Sequence, residues 1–331
     1  MPLPPNLRER LQKLHRDTRG GWSDATRGGA PHKPILLLAV MDLIEAGVIR
    51  ENAIAFDERL LSVFDQYWTA CRGDLPTNPL QPFWYLKGDG IWRHVPRPGQ
   101  KQVLDALTLG GRVPPRRRFQ EIVAGARLDP ELFEAMKHAA GRAELRRLLF
   151  GRYFGDELQA ALAARHGLVV ESVHCESALR RRLERELADL FAGDGALGQE
   201  FTEEGRSMAF RAVVVEAYGH TCAVCGARVR TPSGRSAVQA AHIVPFSVCR
   251  NNDPRNGLAL CPLHHWAFDQ GMLGVTDAYA VKVHAYAEEL PADEGFRALK
   301  GRGLRLPADG RIHPAPVALE WHRRHVFQGA G

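Results

Sequence analysis

The chain has 331 residues, of which 45% are hydrophobic and 25% charged, ordinary proportions for a globular protein long enough for two domains with separate cores. A net charge of +6 suits a polyanionic partner. Six cysteines in a chain of this length exclude a disulfide framework. The opening MPLPPNLRERLQKLHRD has no apolar signal core, and no later run reaches the length needed to cross a bilayer. The expectation is a cytoplasmic protein with no membrane association, whose thiols stay reduced and available for zinc.

Residues 5–16 read as a short polar helix, and 19–30, rich in Gly, Arg and Ser, as a loop. APHKPILLLAVMDLIEAG then predicts a helix with Pro34 in its first turn and Gly47 just past its end. It is apolar almost all round, so it should be the buried central helix of its domain. His32 and Lys33 would sit at the positive end of its dipole, where a phosphate is readily received. Residues 48–56 read as extended and 57–72 as a helix. In LPTNPLQPFWYLKGDGIWRHVP, three prolines and the trio Phe83, Trp84, Tyr85 predict a rigid loop. Gly88-Asp89-Gly90 before Ile91-Trp92 predicts a β-hairpin. Such aromatic clusters are most often core, although a proline-fixed loop with exposed rings also makes a binding surface. Residues 99–115 are broken by Gly and Pro, and the basic run Arg116-Arg117-Arg118 precedes the amphipathic stretch FQEIVAGARLDPELFEAMK. Charge runs are usually solvated faces; within this one, Arg118 is the candidate for contact with a DNA backbone. LRRLLFGRYFGDELQAALAARHGL predicts two helical pieces that complete a first domain over residues 1–170.

Residues 171–205 read as a linker: an Arg- and Glu-dominated stretch, then FAGDGALGQEFTEEGRS, which has glycines and no apolar periodicity. Residues 206–218 return to an amphipathic helix, with Arg211 a candidate for a phosphate contact. The chemistry is concentrated between residues 222 and 269. Cys222 and Cys225 form a Cys-x-x-Cys and Cys261 and His264 a Cys-x-x-His, together the four soft ligands of a structural, tetrahedral zinc site. His242, Asn256, His265 and Asp269 form a separate series. His265 and Asp269 are four apart, so on a helix they project from one face and can share a second cation. His242 follows Ala-Ala and precedes Ile243-Val244-Pro245, the pattern of a short strand that fixes a ring. An imidazole suits a general base that takes a proton from water beside a phosphodiester. Asn256, at an Asn-Gly turn before Leu258-Ala259-Leu260, can orient that base or brace the loop. Beyond Asp269, GMLGVTDAYAVKVHAYA reads as a strand pair and the tail as proline-broken chain ending in a short helix with Trp321. His322 and His325 read as surface residues rather than metal ligands.

At these residues the chain resembles HNH endonucleases, the ββα-metal fold in which two short strands and a helix grip one divalent cation. The resemblance covers roughly residues 206–275. It implies His242 as general base, Asn256 as the motif's N, His265 as the last H and a metal ligand, and Asp269 as a further ligand to Mg²⁺, Mn²⁺ or another divalent cation. Ala241 stands where many members place Asp or His.

HKPILLL and QPFWYLKGDGIW resemble the DNA sulfur-binding domain that precedes an HNH domain in modification-dependent restriction endonucleases. That family recognises phosphorothioated DNA, in which sulfur replaces a non-bridging phosphate oxygen. The resemblance implies that His32 and Lys33 face the DNA and that Pro82 lines a sulfur cup with Tyr85 beside it; Gln81 stands where the family often has Tyr. The combined expectation is an α+β protein: a mostly helical DNA-recognition domain with a β-hairpin (1–170), a linker (171–205), and a ββα-metal nuclease domain with structural zinc (206–331). Its partner would be double-stranded, phosphorothioated DNA, and a homodimer is compatible with the sequence. Two alternatives stay open: an HNH endonuclease that reads another modification or plain sequence, and a zinc-stabilised DNA-binding protein that does not cut.

Overall fold

The computed structural model describes residues 3–286 and 294–327. The chain divides into two compact units, Met1–Val170 with Pro232–Arg235, and Glu171–Thr231 with Ser236–Gly331. The class is α+β, and each β element among the described residues belongs to a two-stranded antiparallel sheet or an isolated bridge. No helix among them is long and apolar enough to cross a membrane.

The first unit contains α1 (Pro5–Gln12), α2 (His32–Glu45), α3 (Glu58–Arg72), α4 (Leu80–Tyr85), β1 (Trp92–Pro96), α5 (Lys101–Leu109), α6 (Arg116–Ile122), β2 (Val123–Leu128), α7 (Pro130–Lys137), α8 (Ala139–Tyr153) and the start of α9 (Asp156–Arg182). Its centre is α2, buried from Lys33 to Ile44, as a helix apolar on every side must be. Pro34 lies in the first turn, where its missing N–H costs no hydrogen bond. At the other end Gly47 takes φ 71°, and the Gly47 and Val48 amides donate to Ile44 O and Leu43 O, the paired bonds of a Schellman motif that needs a left-handed residue. The fully buried carboxylate of this helix, Asp42, accepts from Arg146, His166 and the Tyr67 hydroxyl, which offsets its desolvation.

Two expectations for this unit are corrected. Gly88-Asp89-Gly90 does not turn a hairpin: Leu80–Tyr85 is helical, a 3-10 turn follows at Leu86–Asp89, and β1 pairs with the distant β2, Trp92 opposite Leu128. Asp89 is unavailable as an exposed turn residue because its buried carboxylate accepts from the His15 amide at 2.7 Å and from Lys33 Nζ at 2.5 Å. The stretch 119–137 is not one amphipathic piece but the end of α6, all of β2, and α7. Within β2, Ala126 exchanges two 2.8 Å hydrogen bonds with Ile54 of the extended 48–56 segment. A Cβ on the adjoining Gly125 would lie 2.5 Å from Ile54 O, so only glycine lets that third stretch of backbone approach.

The second unit holds the rest of α9, then α10 (Ala196–Glu200), α11 (Glu203–Ala217), β3 (Gln239–His242), α12 (Phe246–Cys249), β4 (Gly257–Leu260), α13 (Pro262–Asp269), β5 (Leu273–Val275), β6 (Val281–Val283), α14 (Glu294–Arg297) and α15 (Pro316–His322). Residues 171–205 do not form a separate linker. They are helical through Arg182, and Leu190 and Asp194 are buried, bonded to Asn251 and Asn252. The glycines that suggest a connector serve a turn instead: Gly193 and Gly195 take positive φ on either side of the inward-facing Asp194. The segment after Asp269 forms the expected pair, β5 against β6.

The strands β3 and β4 pair with Ala241 opposite Leu258 and His242 opposite Gly257, and Phe210, Val213 and Val214 of α11 are buried with them in one core. Gly257 has φ −129°, so its role is not left-handed turning. A Cβ there would meet Val214 at 2.7 Å and Phe210 at 2.9 Å; the glycine lets α11 lie close under the strands. His322 is corrected from the surface to the core: it is buried, stacked on Phe268 with ring centroids 3.7 Å apart, and bonded through Nε2 to Phe268 O at 3.0 Å.

Candidate active site and DNA-recognition cavity

The four expected zinc ligands come together. Cys222 and Cys225 lie after α11, and Cys261 caps α13, which presents His264 one turn on. Their donor atoms all lie within 4.8 Å of one another. Cys261 Sγ is 3.1 Å and Cys222 Sγ 3.5 Å from His264 Nδ1, and Cys225 Sγ is 4.0 Å from Cys261 Sγ. A tetrahedron with ordinary Zn–S and Zn–N bonds has edges of about 3.6–3.8 Å, so three thiols and one imidazole fit zinc in type and spacing. Burial opposes ionisation of Cys222, but the hydrogen bond with His264 and nearby backbone amides outweigh it and bring the thiol down to about 6. The expected second group forms as well. His265 Nδ1 is 2.9 Å from Gln239 Oε1 and its Nε2 is 3.4 Å from Asp269 Oδ2. His265 thus lies between the Gln239 amide and the Asp269 carboxylate, one turn apart from the latter on one face of α13.

His242 ends β3 with its ring stacked on Phe210, centroids 3.9 Å apart. Burial, opposed by a hydrogen bond to Asn252, holds the imidazole down at about 4, so near neutral pH it carries a lone pair able to accept a proton. Asn256 does not orient this ring. Fully buried, it accepts from the Val244 amide at 2.9 Å and donates to Val244 O at 3.0 Å, bracing the loop after β3. The residue on His242 is instead Asn252, with Oδ1 3.2 Å from Nε2. Sequence reasoning passed over Asn252, Asp194 and Gln239. The run Asn251-Asn252-Asp253 reads as loop, and only its complete burial marks it as structural.

In the first unit, a cavity of about 510 Å³ opens at the start of α2. His32, Lys33, Pro82 and Tyr85 all line it with Gln81, together with His15, Arg16 and Trp22, which the sequence had not assigned to it. Arg118 is not in that lining; it is exposed on α6, 3.5 Å from Glu121. His32 packs against Trp68 and edge-on to Trp22, with centroids 4.5 and 5.5 Å away. Burial, with the charge of Arg72, pushes its pKa down to about 4, so it adds surface rather than charge. Lys33 is buried with its ammonium on Asp89, which neutralises the cation expected to face DNA. Trp22, Ala30, Pro82 and Tyr85 give the cavity a largely apolar wall with polar groups beside it, an arrangement that receives a soft, poorly hydrated group more readily than a strongly hydrated one.

The chain thus combines a ββα unit carrying a four-residue group fit to hold zinc with a helical, cavity-bearing unit. Residues 5–171, slightly more than half of the chain, match the family described as ScoMcrA-like, DNA sulfur-binding domain, and the chain belongs to that family. Residues 222–276 match the HNH endonuclease family, so the second unit carries an HNH endonuclease domain. Among solved structures the chain resembles one titled "Modification dependent TagI restriction endonuclease", at 23% identity and a TM-score of 0.29, over 43% of this chain and 44% of that one. The match therefore spans less than half of that protein. No curated protein matches the chain.

Proposed function

We propose that the chain is a modification-dependent restriction endonuclease of the cytoplasm that binds phosphorothioated duplex DNA through its first unit and hydrolyses a phosphodiester bond with its second. The observation that carries this reading is the cavity at the start of α2, where Pro82 and Tyr85 line a pocket inside a domain of the sulfur-binding family. Sulfur is larger, softer and less well hydrated than oxygen. A wall of proline ring and aromatic surface therefore favours it, while an ordinary phosphate would lose hydration there without full replacement.

In the second unit, Cys222, Cys225, Cys261 and His264 would hold a structural zinc, and His265 and Asp269, 3.4 Å apart, would hold Mg²⁺ or Mn²⁺. The divalent cation supplies neutralisation of charge on the phosphate. His242 takes a proton from the attacking water. Phe210 fixes the plane of the ring, and Asn256 holds the loop that follows it. The test is to incubate the protein with matched phosphorothioated, methylated and unmodified duplexes in Mg²⁺ and in Mn²⁺. Cleavage confined to the phosphorothioated duplex is expected; equal cutting of all three would overturn the reading.

A further inference from the structure

We propose that Asp194 and Asn252 are positioning residues for His242: Asp194 fixes the orientation of the Asn252 amide, and that amide fixes the imidazole as the Nε2–H tautomer, leaving Nδ1 bare to take the proton. This rests on the reading of His242 as general base and adds how the base is prepared. Neither residue belongs to the His-Asn-His series, and Asp194 lies upstream of the HNH match, which begins at residue 222.

The orientation follows from what each group can donate. Asp194 is buried between two guanidiniums, with Arg206 Nε 2.9 Å and Arg182 a 3.5 Å N···O separation away, so both of its oxygens face donors and act as acceptors. Its Oδ1 accepts from the Asn252 backbone amide at 2.7 Å and its Oδ2 from Asn252 Nδ2 at 2.8 Å. The NH₂ end of that side chain must therefore face Asp194. Reversing the amide would set its oxygen against a carboxylate oxygen in a place with almost no solvent, where Asn252 is 1% exposed. With the amide fixed, Oδ1 points at His242 Nε2 from 3.2 Å, and an oxygen that only accepts requires a proton on Nε2. A neutral imidazole with hydrogen on one nitrogen has its lone pair on the other. The carboxylate thus sets the tautomer through an uncharged relay, while stacking on Phe210 sets the ring plane.

The test uses the full chain with ¹⁵N-labelled histidine. Long-range proton–nitrogen correlation spectra read the tautomer of His242, assigned by its loss in His242→Ala. The wild type is expected to show neutral Nε2–H. Asn252→Ala should shift His242 toward a mixture of tautomers and slow single-turnover cleavage about 10- to 100-fold, the usual effect of removing an orienting partner, with duplex affinity unchanged. Asp194→Asn, which keeps an acceptor but frees the amide to reverse, should give the same mixture. A wild-type ring protonated on Nδ1 overturns the proposal whether or not the variants fold, and so does an unchanged tautomer and rate in both variants. Failure of the base assignment looks different: His242→Ala would then cut at the wild-type rate, whatever the tautomer.

Discussion

Lys33 illustrates how a single ion pair changes the meaning of a residue. Its ammonium lies 2.5 Å from Asp89, with the two side chains 10% and 1% exposed. Breaking a buried pair by removing one member leaves the other charge uncompensated, at a cost of about 3–5 kcal/mol. Lys33→Ala is therefore expected to destabilise the first unit by that order in a denaturant titration, and the double variant with Asp89→Ala should lose less, because no charge is left behind. Equal losses would show that Asp89 does not depend on Lys33. The histidines make a second residue-scale case. His32 and His94 are both held at about 4, chiefly by burial, His94 with its ring stacked on Trp84 and bonded to Phe83 O. Each has a folded pKa below its unfolded value near 6.5, so the unfolded chain binds more protons between the two. The stability each contributes is complete above about pH 6.5 and is lost as pH falls toward 4, by on the order of 3 kcal/mol per ring. Urea titrations followed by tryptophan fluorescence should show this decline, and His94→Phe should flatten it. A first unit as stable at pH 4.5 as at pH 7 would exclude the effect.

The zinc group ties elements together. Cys222 and Cys225 follow α11, whereas Cys261 and His264 open α13 at the end of β4, so one ion held by all four would join both segments of the ββα site. Structural zinc contributes on the order of 10 kcal/mol to folding in small metal domains. Chelation or Cys222→Ala is expected to abolish the thermal transition of the second unit while leaving that of the first. A normal second-unit transition in metal-free protein would rule out the structural role. The same elements explain why Asn256 and Gly257 stand together: the asparagine satisfies both backbone groups of Val244, and the glycine leaves room for Val214 and Phe210. An Asn-Gly pair that reads as a turn is here a brace next to a close helix contact.

For the whole molecule, the sulfur reading predicts a difference that charge cannot supply. Phosphorothioated and ordinary duplexes carry the same net charge, so counterion release contributes equally to both and cancels in the ratio of their affinities. The full chain is expected to bind the phosphorothioated duplex more tightly at each of two salt concentrations. Pro82→Ser should bring the ratio toward one, because it replaces ring surface in the cavity lining by a hydroxyl. A wild-type ratio near one in several sequence contexts would sink the proposed specificity, and Gln81, which shares that lining, would be the first residue to examine.

The sequence by itself determined what lies within a turn or two of chain. The largely apolar α2 and its Gly47 cap, the Cys-x-x-Cys and Cys-x-x-His half-sites, and the pairing of His265 with Asp269 all follow from local spacing, because helix and turn geometry alone put those side chains together. Only the tertiary structure decided which distant polar groups are buried against one another. Asp89 pairs with Lys33, β1 passes over a local hairpin to pair with β2, and Asp194 of the glycine-flanked segment reaches Asn252 and through it His242. A buried donor or acceptor must find a partner wherever packing brings one, and distance along the chain carries no record of that choice.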